Sequence, residues 1–121
     1  CLSSKCANPP DYTKYFNNIT ISKIKPGLPP GPNNVPVVTT SFTSADAIEI
    51  DISAKTGTTG EVYAQIVDLV TGRVVFTNEK RAIQPGSWGT GFAPPAMSGE
   101  FELQIFFNDE LVYLVAITIS G

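Results

Sequence analysis

The chain contains no histidine. That removes the commonest general base, the commonest metal ligand and the side chain whose charge changes near neutral pH. Cysteine is limited to Cys1 and Cys6, so no disulfide framework can run through the body of the domain. Charge is sparse as well. Charged residues make up 16% of the chain, against about a quarter in ordinary soluble domains. The net charge is −3 and the eight basic residues are scattered. They form no basic stripe of the kind a phosphate backbone requires, so no nucleic acid is expected as a partner. Apolar runs long enough for a membrane helix, ~20 residues, are also missing.

What remains suits an exported β-protein. A length of 121 residues is one domain by size, with enough surface buried for one core. Cys1 in place of Met leads us to expect a processed N-terminus, with the chain outside the cell or at its surface, or on the periplasmic face of a bacterial membrane. Three fates of the cysteines are open: a local Cys1–Cys6 disulfide, a lipid on Cys1 as in bacterial lipoproteins, or pairing between chains. The lipid is the only membrane contact expected. Two thiols without histidine make an incomplete zinc site.

Proline divides the chain. Seven of the ten prolines fall within residues 1–36, which therefore read as an N-terminal arm. Proline cannot occupy an interior strand or a helix. Lys25-Pro26-Gly27-Leu28-Pro29-Pro30-Gly31-Pro32 is expected to be a stiff, polyproline-like connector. Before it, Ile19 and Ile21 alternate with Asn18, Thr20 and Ser22, and Ile24 follows, so 18–24 is a short strand.

From 37 to 121 the period is two. Val38, Thr40 and Phe42 suggest one strand. Ile48, Ile50 and Ile52 alternate with Glu49, Asp51 and Ser53. Val62, Ala64 and Ile66 continue the pattern, as do Phe101, Leu103 and Ile105 against Glu100, Glu102 and Gln104. The last strand, with Leu111, Tyr113, Val115, Ile117 and Ile119, is apolar on both faces from Leu111 to Ala116 and is expected to be central. Thr71-Gly72, Pro85-Gly86 and Asn108-Asp109 mark turns. Turn signals about every 8–12 residues give about seven or eight strands, an antiparallel β-sandwich.

The segment Met97-Ser98-Gly99-Glu100-Phe101-Glu102-Leu103 resembles the entry to the sixth strand of immunoglobulin-like domains. Phe101 stands at the position of the family's corner tyrosine and Leu103 at that of its cysteine. Thr71-Gly72-Arg73-Val74-Val75, Pro85-Gly86-Ser87-Trp88 and Asn108-Asp109-Glu110-Leu111 extend the likeness to fibronectin type III-like and macroglobulin-like modules. The resemblance implies an all-β, immunoglobulin-like sandwich and carries no activity with it.

Candidate sites are few. Ser and Thr lack a histidine base. Glu49 with Asp51, and Glu100 with Glu102, could form a carboxylate pair for glycoside hydrolysis, but i, i+2 spacing also describes a solvated strand face. No enzyme and no cofactor are expected. Asp46, Asp68 and Asn108-Asp109-Glu110 could hold calcium, though turn chemistry accounts for them. Trp88, with Tyr63 and Phe106, could stack on a glycan; packing against the core is the alternative for Trp88. Asn18-Ile19-Thr20 is a glycosylation triplet. The arm strand, with Ile19, Ile21 and Ile24, is the leading functional element. Donated to a neighbour's sheet it would build a homo-oligomeric cell-surface filament. The alternative is a membrane-anchored lipoprotein whose sandwich binds a protein or a glycan.

Overall fold

Alternating β-branched residues and frequent turn residues give a chain of strands. The computed structural model describes residues 11–83 and 86–120, with Ser87 described by its backbone only. Cys1 and Cys6 lie outside the described residues, and with them the disulfide and lipid readings. Among the described residues there are ten strands: β1 (Phe16–Ile24), β2 (Val37–Val38), β3 (Ser41–Thr43), β4 (Ala47–Ala54), β5 (Gly60–Asp68), β6 (Val74–Thr77), β7 (Arg81–Ile83), β8 (Gly86–Phe92), β9 (Gly99–Phe107) and β10 (Glu110–Ser120). The count exceeds the expected one because several are short segments that the period does not resolve.

The strands form two sheets. One has four strands in the order β2-β1-β4-β8; the other has the order β3-β10-β9-β5-β6, with β7 also paired to β5. All pairings are antiparallel except β3 with β10. The inward rows meet in one core. Ile48, Ile50 and Ile52 of β4 face Ile66, Leu103 and Ile105 across the sandwich, and all are essentially without solvent contact. Phe101 and Leu103, the positions matched to the immunoglobulin motif, are both buried here. The β9–β10 hairpin turns at Asn108 and Asp109, with φ of 50° and 65°, the left-handed pair that a tight hairpin requires.

The arm strand is a strand of this sandwich. β1 pairs with β4 of the same chain from Phe16↔Ala54 to Ile24↔Ala47, with one bulge between Phe16 and Asn18. Ile19 and Ile21 oppose Ile52 and Ile50 and join the core. Ile24 opposes Ala47 on the other face. Within the described residues, the stretch read as an arm is thus packed into the sheet.

The Pro-rich connector also departs from the extended form. Asn34, only 4% exposed, holds it as a folded loop. Its Oδ1 accepts from the Lys25 N–H at 2.8 Å, and its Nδ2 donates to the carbonyls of Lys25 at 2.9 Å and Leu28 at 3.0 Å. Gly31 and Asn34 close a bridge inside the loop. One side chain thereby supplies the partners that prolines cannot offer as donors. Beyond the loop, the strand expected at 38–42 splits between the sheets. The Thr39 N–H donates to Ile21 O in the first sheet at 3.3 Å, and Thr118 N–H of the second donates to Thr40 O at 2.9 Å.

Two polar residues expected in solvent are buried. Glu102 and Gln104 are 0% and 3% exposed on the outer face of the larger sheet. Gln65 Nε2 donates to Gln104 Oε1 at 3.0 Å, and Gln104 Nε2 donates to Glu102 Oε1 at 2.8 Å. Alternation gave the face correctly but not the crowding by long neighbours on adjacent strands.

Asn34→Ala should lower unfolding free energy by about 1–3 kcal/mol, because it orphans buried backbone groups. Chemical denaturation measures this, and hydrogen exchange should speed up selectively across 25–34. Ile50→Ala should cost about 2–5 kcal/mol through the cavity it leaves.

Candidate functional site

Direct strand partners share a face, so the register alone builds the outer surface of the four-stranded sheet. On that side β1 presents Asn18, Thr20, Ser22 and Ile24. β4 presents Ser53, Asp51, Glu49 and Ala47 opposite them. β8 places Gly89 beside Asp51 and Gly91 beside Glu49. The central rows are therefore Thr20–Asp51–Gly89 and Ser22–Glu49–Gly91.

The two glycines matter for space. A Cβ on Gly89 would stand 2.7 Å from Asp51 Oδ1, and one on Gly91 would stand 2.8 Å from Glu49 Oε2. Both carboxyl groups thus lean over β8 into room that any side chain would fill. Glu49 is 5% exposed. Burial, followed by the negative charge of Asp51 and a hydrogen bond to it, pushes the Glu49 carboxyl up to about 7. Protonated Glu49 donates to the Asp51 carboxylate; two like charges this close disfavour joint ionisation. In the same row, Ser22 Oγ is buried without a hydrogen-bond partner.

Two depressions flank the pair. One, of about 400 Å³, lies between the Pro-rich loop and β8, with Leu28, Pro29, Pro30 and Phe92 as walls and Glu49 on its floor. The other, of about 410 Å³, holds Asp51, Thr20, Asn18 and the margin of Trp88. The expectation of a solvated strand face therefore fails for Glu49. The i, i+2 spacing was visible in the sequence, but the glycines that let the acid lie down are some forty positions away.

The other candidates fall elsewhere. Trp88 opposes Ile52 on the inward face and packs against the core. Tyr63 and Phe106 stack on each other, centroids 4.9 Å apart, on the larger sheet, with Lys80 Nζ 5.5 Å from the Tyr63 ring. Asn18 is exposed, and its Nδ2 donates to Thr20 Oγ1 at 3.0 Å. The calcium candidates are separated and engaged in turns. Asp46 Oδ2 accepts from Thr43 N–H at 2.8 Å, Asp68 Oδ1 from Val70 N–H at 2.8 Å, and Asn108 Oδ1 from Glu61 N–H at 3.0 Å. Asp109 pairs with Lys80 at 2.9 Å and Glu110 with Lys14 at 3.5 Å. Among the described residues no three acidic or thiol groups cluster as a metal site. Glu100 Oε2 accepts from Thr118 Oγ1 at 3.1 Å, apart from the Glu49 pair.

The architecture is immunoglobulin-like. The chain is similar in fold to an immunoglobulin-like protein of Pseudomonas aeruginosa, with a TM-score of 0.52 and 13% identity over 87% of this chain and 94% of that one. A β-glucosidase from intestinal bacteria aligns at a TM-score of 0.42 and 20% identity; 84% of this chain meets 16% of that enzyme. No protein-family model and no curated protein matches the chain.

The raised carboxyl has a stability consequence. The unfolded chain releases this proton near 4.5, while the fold keeps it to about 7. The native state therefore binds more protons in that window, and stability falls as pH rises through it. Glu49→Gln should flatten this slope, leave the melting temperature nearly unchanged at pH 4 and raise it by a few degrees at pH 8. Calorimetry at several pH values reads the difference.

Proposed function

We propose that this chain is a non-enzymatic, exported immunoglobulin-like module that folds as a self-contained unit and acts by binding. The observation that carries this reading is the carboxyl pair on the outer sheet face. A neutral residue at position 49 would avoid burying a carboxyl group beside the charge of Asp51. Folds retain such local costs mainly where a surface works. The pair is bonded to itself, which leaves no room between its members for a sugar ring and so argues against a glycosidase geometry. The low charge content and the Pro- and Thr-rich surface support a location outside the cytoplasm.

Assembly by donation of β1 is the second reading. It is favoured by one feature: the loop at 25–36 alone ties β1 to the strands that follow, so β1 can exchange between copies without disturbing their order. Against it, β1 already completes the sheet of its own chain.

Light scattering after size exclusion separates the two. The expected result is a monomer of 12.9 kDa, and removal of residues 1–24 should abolish cooperative unfolding by stripping Phe16, Ile19 and Ile21 from the core. A ladder of oligomers in the intact chain, converted to folded monomers by an excess of a free peptide of residues 16–24, would establish strand donation instead.

A further inference from the structure

Sheet edges are normally protected, because their unpaired N–H and C=O groups template another strand. The edges here differ sharply. β2 has two residues and follows Pro36, β3 has three, β7 three and β6 four. β8 has seven, Gly86–Phe92, with neither proline nor charge among them. It bonds to β4 on one side, and no described strand borders the other. The reason is topological: β7, the strand before it, pairs with β5 in the opposite sheet, so nothing in the described chain fills the position beyond β8.

The surface beside this open edge has a defined chemistry. A strand added there would lie next to the outward positions of Gly89 and Gly91. These offer no side chain, and the carboxyls of Asp51 and Glu49 already lean across them. A long cationic side chain on the added strand can therefore reach over β8 to both acids. Its aliphatic stem would pass along Leu28 and Pro29 of the neighbouring groove, the usual disposition of lysine and arginine on apolar walls. Among the described residues no cation does this. What acts on Glu49 is burial and Asp51. Lys25 lines the same groove but is not among the groups that act on Glu49, and the outward residues of β1 and β8 facing the pair carry no charge.

We propose that β8 is a docking edge for an extended segment of a partner protein bearing lysine or arginine at alternate positions, added as a fifth strand, with its basic side chains paired to Glu49 and Asp51 across Gly91 and Gly89. Main-chain hydrogen bonds supply the adhesion and the carboxyl pair the choice of partner. A second copy of this chain fits poorly. Two β8 strands side by side would contribute glycine against glycine and would bring two uncompensated acid pairs towards each other. The inference rests on the reading of the chain as a binding module and names the partner's chemistry.

The test uses the intact chain and blocked heptapeptides that alternate threonine with lysine. The sole tryptophan, Trp88, lies on β8, so its emission reports strand addition, and calorimetry gives the affinity. The lysine peptide should bind at least about tenfold more tightly than its glutamate counterpart at low salt. A backbone N-methylated lysine peptide, which cannot complete the ladder, should lose binding. Affinity should rise from pH 6 to pH 8 as Glu49 gives up its proton, since the lysines stay charged throughout. That rise should disappear in Glu49→Gln, and the isosteric Glu49→Gln/Asp51→Asn variant should erase the preference for lysine while melting cooperatively.

Equal affinity for the two charges, undiminished binding of the N-methylated peptide, or no binding up to about a millimolar would each overturn the proposal, as would dimerisation through β8 without peptide. A monomer that ignores every peptide leaves the self-contained module standing, whereas oligomers dependent on β1 overturn that module itself.

Discussion

The register between β1 and β4 determines both halves of this molecule. Ile19 and Ile21 stand opposite Ile52 and Ile50 on one face, while Thr20 and Ser22 stand opposite Asp51 and Glu49 on the other. Strand periodicity couples the two faces rigidly, because a slip of one residue would exchange them. The slipped pairing would put two carboxyl groups into the apolar core and a row of isoleucines into water. Isoleucine burial on the inner side thus fixes where the acids lie on the outer side. The hydrophobic effect positions the site without touching it.

The Pro-rich loop depends on the same register. It leaves β1 at Ile24 and returns at β2, where Val38 and Val37 pair with Ser22 and Lys23. Its prolines exclude a continuous ladder, and Asn34 replaces the missing bonds with side-chain ones. The result is a wall beside Glu49 rather than a spacer. The crossing at Thr39 and Thr40 then sends β3 to the other sheet, where it lies parallel to β10. Proline explains the first departure, since a strand that cannot continue its ladder must turn away; the crossing follows from Thr39 and Thr40 bonding to different sheets.

Much of the architecture was legible in the sequence, because period-two alternation records burial directly. The isoleucine row of β4, the β9–β10 hairpin with its Asn108-Asp109 turn, and the buried Phe101 and Leu103 all follow from it. Three features did not. Proline density suggested an extended arm, whereas a single asparagine folds it, and no periodic signal identifies that asparagine. Val38 to Phe42 kept strict alternation while belonging to two sheets, since period two describes a local backbone and not its partner. For Glu49, the decisive residues are Gly89 and Gly91, which are neighbours only through the β4–β8 pairing. A glycine opposite a carboxylate is invisible until the strands are aligned.

The remaining question is why a strand should carry glycine where any side chain would stabilise it. Glycine in a strand interior loses packing and raises the entropy cost of folding. β8 has it at Gly89 and Gly91, and both sit beside an acid. Threonine at either position would favour the strand, but it would meet a carboxyl oxygen well inside van der Waals contact and force the acid upright into water. Once upright, Glu49 would regain solvent and its ordinary carboxylate behaviour, and the pair would separate. The glycines therefore do not merely tolerate the carboxyl pair; they hold it low, adjacent and short of solvent. The two acids and two glycines form one arrangement, set by the β4–β8 register that places each acid opposite a residue without a side chain.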